Sequence, residues 1–266
     1  MVAALASFSA ALAGPCGADG GSAATVREVG DDLSLLLDDG RRLRLPGVEP
    51  VRDTPGRPGA AAAARDTLAA WLGGHAVSVL AQGPADRWER VPALVSAPAT
   101  PGDGPLLAAA VQLVDAGLAR ARPDGVPADC AVALLRAEAA ARDGVLGLWA
   151  DPYYAIRTAS DGQALLSLAG EWVVVEGRVA HVGRTRTATY LDLDSRRGGL
   201  ALRLARSVSV TSRPGDPGQD GWLGRHLRAR GVMDDRNGPQ IDIRDAAQIE
   251  WLPPAGTPGE AADVGR

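Results

Sequence analysis

The stretch RRLRLPGVEPVR, residues 41–52, alternates apolar and charged side chains in the way typical of a β-strand with one buried face. A second alternating run precedes it across the turn dipeptide Asp39-Gly40, so residues 33–45 predict a β-hairpin. Further strands are predicted at 75–82 and 88–97, and helices at 59–74, 106–121 and 126–144. The first half of the chain is therefore expected to be a small β-barrel with three helices.

The second half returns to period-two alternation after residues 151–163, whose composition is typical of a linker. About five strand-like runs follow: EWVVVEGRVAHVG, ATYLDLD, GLALRLARSVSV, HLRARGVM and QIDIRDAAQIEWL. Strands of this number and length suit a closed or nearly closed barrel of the OB type.

The expected fold class is therefore mainly β with α (α+β), in two barrel domains. The predicted organisation is a signal-like or flexible N-terminus over 1–22, a first domain over 23–150, a linker over 151–163, a second OB-like barrel over 164–252 and a disordered tail over 253–266.

Charge limits the kinds of partner. The 28 basic residues are all arginine and face 32 acidic residues, which gives a formal net charge of -4. Binding to phosphate without sequence preference depends on a surplus of positive charge along the contact face. The composition therefore excludes a broadly basic nucleic-acid-binding domain, and any contact with phosphate must be local.

The N-terminus combines a short apolar run with an A-x-A element at residues 11–13, which suits signal-peptidase cleavage before Gly14. Basic residues are missing ahead of that run, so an Ala-rich tail is the alternative. The first interpretation predicts a periplasmic or secreted protein and the second a cytoplasmic one. The run is too short to cross a membrane as a helix of the mature chain.

The two cysteines, Cys16 and Cys130, allow one disulfide in an oxidising compartment. Alternatively, Cys130 is a small buried side chain on a helix. The three histidines, His75, His181 and His226, stand apart from each other and from the cysteines, so no zinc spacing is present.

Four short motifs, RLRLPGVEP, DRWER, LVDAGLA and AEAAARDGVLGLW, occur in the order and at roughly the spacing found in the staphylococcal nuclease (thermonuclease) family. The chain resembles this family over about residues 24–150. The resemblance implies an OB-type barrel with packed helices. It also implies a chemistry in which carboxylate-bound Ca²⁺ activates a water, a glutamate acts on that water, and two arginines hold the phosphate of the cleaved diester.

The resemblance assigns the two phosphate-holding arginines to Arg44, in the pattern R-L-x-G, and to Arg90, which closes DRWER where the family usually reads D-R-Y-G-R. Glu49 stands where the family has its metal-binding aspartate. The resemblance thus places three residues at family catalytic positions: Arg44, Glu49 and Arg90. It implies Ca²⁺ as the cofactor if the chain is catalytic, and no other cofactor is indicated.

Two other family positions differ here. The second aspartate of the family's D-G-D-T falls on Leu33, and the glutamate of D-x-P-E falls on Arg52. In an extended strand Asp31 would point to the same face as Leu33 and could replace the lost metal ligand. Asp53, one residue past the position of the general base, could replace that base.

Arg52 then has two interpretations that the sequence leaves open. In the first, Arg52 joins Arg44 and Arg90 in a metal-free pocket that binds phosphate without cleaving it. In the second, Arg52 pairs with Glu49 and neutralises a carboxylate that no longer meets calcium.

The second barrel is similar to a C-terminal region that accompanies some bacterial nuclease-like proteins. OB barrels bind single strands by stacking bases on aromatic residues in a basic groove. Trp172 and Tyr190 are the stacking candidates, and the candidate cations are Arg178, Arg184, Arg186 and Arg203. A structural or protein-contact barrel is the alternative.

Three functions remain open from sequence. The first is a nuclease-like protein that binds single-stranded nucleic acid or another phosphorylated ligand with little or no cleavage. The second is an active calcium-dependent phosphodiesterase that uses displaced carboxylates, and the third is a scaffold whose barrels contact protein partners.

Overall fold

The computed structural model describes residues 14–100, 103–194, 198–208, 210 and 221–253. The chain divides into two compact units, Met1–Tyr153 and Tyr154–Arg266. Residues 1–13 of the predicted leader and residues 254–266 of the predicted tail lie outside the described residues. In the described part of the chain, no helix combines the length and the apolar character needed to cross a membrane.

The first unit contains a ring of five short strands. Its strands are β1 (Ser22–Val29), β2 (Leu35–Leu37), β3 (Arg42–Arg44), β4 (Val48–Pro50), β5 (Ala76–Ala81), β6 (Arg90–Thr100), β7 (Asp103–Ala108) and β8 (Ala119–Ala121). Strands β1, β2, β3, β6 and β5 pair in that order, and β5 pairs again with β1. The β3–β6 pair is parallel and the others are antiparallel. This closed ring is OB-like, with β7 added beside β6 and β4 paired with β8.

Alternating apolar residues fill the ring, as the sequence pattern predicts. Val26, Leu35, Leu37 and Leu43 are buried inside it, and so are Val77 and Val79 of β5. The predicted hairpin at Asp39-Gly40 is confirmed, because Leu35 pairs with Leu43 across that turn. The mainly β, α+β class of the chain is confirmed with it.

Three α-helices accompany the first ring: α1 (Ala60–Leu72), α2 (Ala109–Asp115) and α3 (Ala128–Asp143). α1 ends at Gly73-Gly74 and α3 at Gly144, as predicted. The helix predicted over 106–121 is wrong at both ends. Leu106 and Leu107 pair with β6 as part of β7, and Gly117, at φ 64°, lies in the turn that precedes β8.

A disulfide joins Cys16, ahead of β1, to Cys130 in the first turn of α3, and both residues are buried. The same N-terminal segment is held to the barrel at Ala18. The Ala18 N–H donates to Ser96 Oγ over 3.0 Å, and its carbonyl accepts from Ser78 Oγ over 2.7 Å. The disulfide that the sequence allowed is therefore present.

The second unit forms another ring of five strands. Its elements are β9 (Arg157–Thr158), α4 (Gly162–Leu166), β10 (Trp172–Arg184), β11 (Ala188–Leu193), β12 (Ala201–Ala205), β13 (His226–Asp234), β14 (Gln240–Ile243) and β15 (Ile249–Trp251). The ring order is β10, β11, β12, β14 and β13, which pairs again with β10. As in the first ring, one pair, β12–β14, is parallel. The second closed barrel is thus also OB-like.

The predicted linker over 151–163 holds both exposed and buried residues and contains short elements of secondary structure. The boundary of the two units falls inside it, after Tyr153. Tyr154 and Ala159 are buried, β9 pairs with β10, and Asp161 caps α4 by accepting from Ala164 N–H over 3.1 Å. Most of this segment therefore belongs to the second unit, because its Asp and Gly residues form turns and a helix cap.

Candidate functional site

Two loops of the first barrel lie where OB barrels bind oligonucleotides, next to the second and third strands of the ring. The β1–β2 loop comprises residues 30–34, and the β5–β6 loop comprises residues 82–89. Arg90, the first residue of β6, connects these two loops through its side chain. The candidate site is built around this residue.

The Arg90 guanidinium is held by one carboxylate from each loop. Its Nε and Nη2 donate to Asp86 Oδ2 over 3.0 and 2.9 Å, and its Nη1 donates to Asp32 Oδ2. Hydrogen bonds from Arg90 to Asp86 raise the pKa of the guanidinium further above its already high value. Arg90 is therefore a fixed cation at the junction of the two loops.

Both carboxylates remain ionised at neutral pH. Partial burial raises the pKa of Asp32, but hydrogen bonds from Ser34 and Arg90 outweigh it and leave the pKa below its ordinary value. The pKa of Asp86 is lowered for the same kind of reason, by the Arg90 side chain and by the backbone N–H groups of Arg90 and Trp88. Arg90 thus carries one positive charge between two negative ones.

Trp88 exposes an aromatic ring at this junction. Its side chain is 57% exposed, and the Cζ atoms of Arg87 and Arg90 lie 3.8 and 4.8 Å from its ring centroid. Guanidinium groups at these distances make cation–π contacts with the ring. An exposed ring beside two arginines is the arrangement on which single-stranded nucleic acids stack.

Glu89 adopts a backbone conformation that favours glycine. Its φ is 61°, and its N–H donates to Asp86 O over 2.9 Å to close the turn. This is the position of the glycine in the D-R-Y-G-R pattern, so the left-handed turn fits the resemblance although the residue does not.

We expect Glu89→Gly to stabilise the first unit by about 0.5–1 kcal/mol, because glycine adopts positive φ without steric cost. Thermal unfolding of Glu89→Gly should be compared with that of Glu89→Ala, which removes the same charge but keeps Cβ. If alanine stabilises the unit as much as glycine does, the effect comes from the side chain and not from the backbone.

Two further arginines lie on the neighbouring strand. Leu43 of β3 is buried, so Arg42 and Arg44 on either side of it are exposed on the outside of the barrel. Arg42 is the parallel-ladder partner of Arg90, and Arg44 pairs with Pro92. Within the described residues neither Arg42 nor Arg44 has an ion-pair partner. The structure therefore places Arg44 and Arg90, the two arginines that the resemblance assigned to phosphate, on adjacent strands, and Arg42 lies beside them.

The family's metal ligands are not brought together. Leu33 is 2% exposed and lies in a turn at φ 60°, not in the extended strand that we predicted. Asp31 therefore does not share a strand face with it; its carboxylate is exposed and accepts from Arg65 Nη1 over 2.6 Å. Glu49 on β4 accepts from Arg122 Nη1 over 2.9 Å.

These donors do not fit a calcium site, which needs several oxygen ligands around one point. Across the described residues no group of three or more His, Cys, Asp or Glu side chains is placed to hold a metal ion. Asp31 and Glu49 are each engaged by a different arginine, and Leu33 offers no donor. No catalytic step through calcium is therefore derived for this chain.

The residue at the family's general-base position is Arg52, and the next is Asp53. Arg52 is exposed on the segment that follows β4, outside the ring of five strands. Asp53 accepts from the Ala61 N–H over 2.9 Å. Hydrogen bonds from the backbone N–H groups of Ala61, Gly59 and Ala60 hold the pKa of Asp53 below its ordinary value. Asp53 is thus engaged by the start of α1, which is a capping role.

The second barrel exposes only some of the residues predicted to contact nucleic acid. Trp172 is only 3% exposed, so its ring is closed to a base and the stacking role predicted for it is wrong. Tyr190 is half-buried and accepts a hydrogen bond from Arg203, which also pairs with Asp242 over 3.4 Å. Arg178 donates to Gly224 O over 2.9 Å. Arg184, at the end of β10, and Arg186, in the turn that follows, are exposed.

Sequence reasoning missed five members of the site: Trp88, Arg87, Asp86, Arg42 and Asp32. The signal for Trp88 was present in DRWER, where an aromatic residue stands between two arginines. The roles of Arg42 and Asp32 depend on the pairing of β3 with β6 and on the meeting of two loops, neither of which is visible as a local pattern.

Comparison with models of known protein families found no match for this chain. No curated protein matches it either.

Proposed function

We propose that the first barrel binds single-stranded nucleic acid without efficient phosphodiester cleavage, and that the chain is a staphylococcal nuclease-like protein with a degenerate catalytic centre. The observation that carries this proposal is the exposed Trp88 ring beside Arg87 and Arg90. It lies at the loops with which OB barrels contact oligonucleotides.

The chemistry of this surface fits a single strand. A base can stack on the Trp88 ring or on the guanidinium plane of Arg87. The exposed Arg42 and Arg44 lie on the strand next to Arg90, where they can neutralise phosphates of the same strand. Because this positive cluster is local on an acidic chain, binding should weaken steeply as salt rises.

The proposed lack of efficient cleavage rests on two other residues, at the family's general-base and metal positions. Arg52 replaces the family's glutamate base, and Leu33 replaces a metal aspartate with a buried apolar side chain. Losing a positioned base alone lowers a rate by about 10²- to 10⁴-fold. The active phosphodiesterase thus has less support than a binding protein, and no observation here favours a protein-contact scaffold.

Export from the cytoplasm is part of the proposal. The buried disulfide between Cys16 and Cys130 supports a periplasmic or secreted location, because disulfides persist in oxidising compartments. The A-x-A element before Gly14 supports the same location.

The test is binding of a fluorescent oligothymidylate at low salt by the full chain and by Trp88→Ala. We expect the alanine variant to bind about five- to 100-fold more weakly, the range that loss of one stacked base produces. Trp88→Phe is the matched control and should retain most of the affinity, because phenylalanine keeps an aromatic face. The same samples with millimolar calcium should leave the oligonucleotide intact.

Equal binding by the wild type and Trp88→Ala would contradict the proposed surface. Rapid calcium-dependent cleavage that Arg44→Ala abolishes would contradict the proposed lack of catalysis.

A further inference from the structure

The two carboxylates on Arg90 occupy different edges of its guanidinium. Asp86 takes the Nε–Nη2 edge, with both nitrogens donating to one oxygen. Asp32 takes Nη1, the remaining nitrogen. A planar guanidinium binds anions through such edges, so Nη1 is the position at which a further anion would have to bind.

Asp86 is built into its own loop. Besides Arg90, it accepts the backbone N–H groups of Trp88 and Arg90 over 2.9 and 3.0 Å, and its side chain is 24% exposed. Removing it would open the turn that carries Trp88. Asp86 is therefore the residue that orients Arg90.

Asp32 accepts one backbone N–H, that of Ser34 over 3.1 Å, whereas Asp86 accepts two. The Asp32 side chain is 49% exposed and comes from the other loop. Exposed ion pairs contribute little to stability, because water and salt screen them. The Asp32 contact with Nη1 is therefore one that a stronger anion can replace.

We propose that the Asp32 carboxylate is an internal competitor of phosphate at Arg90 Nη1: it occupies this position in the free protein and leaves it when a phosphate oxygen binds there. This inference rests on the proposed function and adds a residue that limits affinity at that surface.

The exchange needs no rearrangement of the β1–β2 loop. Its backbone is closed by hydrogen bonds from Leu33 N–H to Gly30 O and from Gly30 N–H to Ser34 O, over 2.9 and 2.8 Å. Leu33 is buried and anchors the turn. Rotation of the Asp32 side chain releases Nη1 at the cost of its hydrogen bond from the Ser34 N–H, and the carboxylate is already half-exposed to water.

The net charge around Arg90 supports the same proposal. With Asp32 and Asp86 both ionised, the group around Arg90 has a net charge of one negative unit, which repels phosphate. Asp32→Asn makes the group neutral. Asparagine retains the Oδ1 acceptor that Asp32 offers to the Ser34 N–H, so the loop should keep its conformation.

The experiment measures binding of oligothymidylate and, separately, of inorganic pyrophosphate to wild type, Asp32→Asn and Asp31→Asn. We expect Asp32→Asn to bind both anions about three- to ten-fold more tightly, because a competitor and a nearby like charge are both lost. Asp31→Asn changes the net charge equally at the adjacent residue but frees only Arg65. It should change either affinity less than about two-fold by the same screening argument.

The two probes separate this inference from the proposed function. Asp32→Asn could bind pyrophosphate more tightly while no variant binds the oligonucleotide. That result would support the competition at Arg90 and would reject nucleic acid as the ligand. The inference is overturned if Asp32→Asn gains affinity for neither probe, or if Asp31→Asn gains as much.

Discussion

Replacing both Cys16 and Cys130 with alanine is expected to destabilise the first unit by about 2–5 kcal/mol. The bridge joins residues 114 positions apart, so its loss releases a long loop in the unfolded chain. It also removes two buried sulfur atoms and frees the segment that Ser96 and Ser78 hold at Ala18. For a unit of this size the loss corresponds to a fall in Tm of roughly 4–20 °C.

Thermal unfolding followed by circular dichroism, with and without a thiol reductant, measures this effect. Reductant should lower the Tm of the wild type towards that of the double variant and leave the variant unchanged. Any transition of the second unit should not move, because both cysteines lie in the first. A wild type that unfolds at one temperature in both conditions would show that the bridge contributes no stability.

Leu33→Asp, the change that the D-G-D-T pattern suggests for restoring a metal ligand, is expected to destabilise the first unit by about 3–5 kcal/mol. Leu33 is buried in the β1–β2 loop, and an aspartate there would lose apolar burial and carry an ionised carboxylate away from water. Aspartate tolerates the positive φ of this turn better than leucine does, which offsets only a small part of the loss.

Chemical denaturation of Leu33→Asp and Leu33→Asn tests this prediction. Asparagine has a similar size and the same tolerance of positive φ, so the additional loss in the aspartate variant measures the cost of the charge. Millimolar calcium should restore neither variant. Stabilisation of Leu33→Asp alone by calcium would mean that its carboxylate reaches a metal site, and our account of Leu33 would be wrong.

Much of the fold was predictable from local patterns. Strands with one buried face show period-two alternation, and the Asp39-Gly40 turn and the Gly73-Gly74 helix end depend on residues adjacent in the chain. The run at 106–121 was misread because its apolar residues satisfy helical spacing, although its first part pairs with β6. Pairing with a neighbouring strand overrides local helix propensity where that strand has an edge free to pair.

The candidate site was predictable only in part. Arg44 and Arg90 were singled out through motifs and lie on neighbouring strands, and their role in holding phosphate stays a prediction. Trp172 was misassigned because an aromatic residue at the start of a strand has the same sequence pattern whether its ring is buried or exposed. Burial depends on what covers the residue, which a local pattern does not contain.

The α+β class and the strands of the two barrels could be predicted from the sequence, because these features depend on residues close together in the chain. Which charges meet depends on the tertiary structure. Arg90 binds Asp32 from a loop 58 positions away, and Glu49 binds Arg122, 73 positions away. Such pairs form because barrel closure brings distant loops together, and an ion pair over that separation leaves no periodic signal in the sequence.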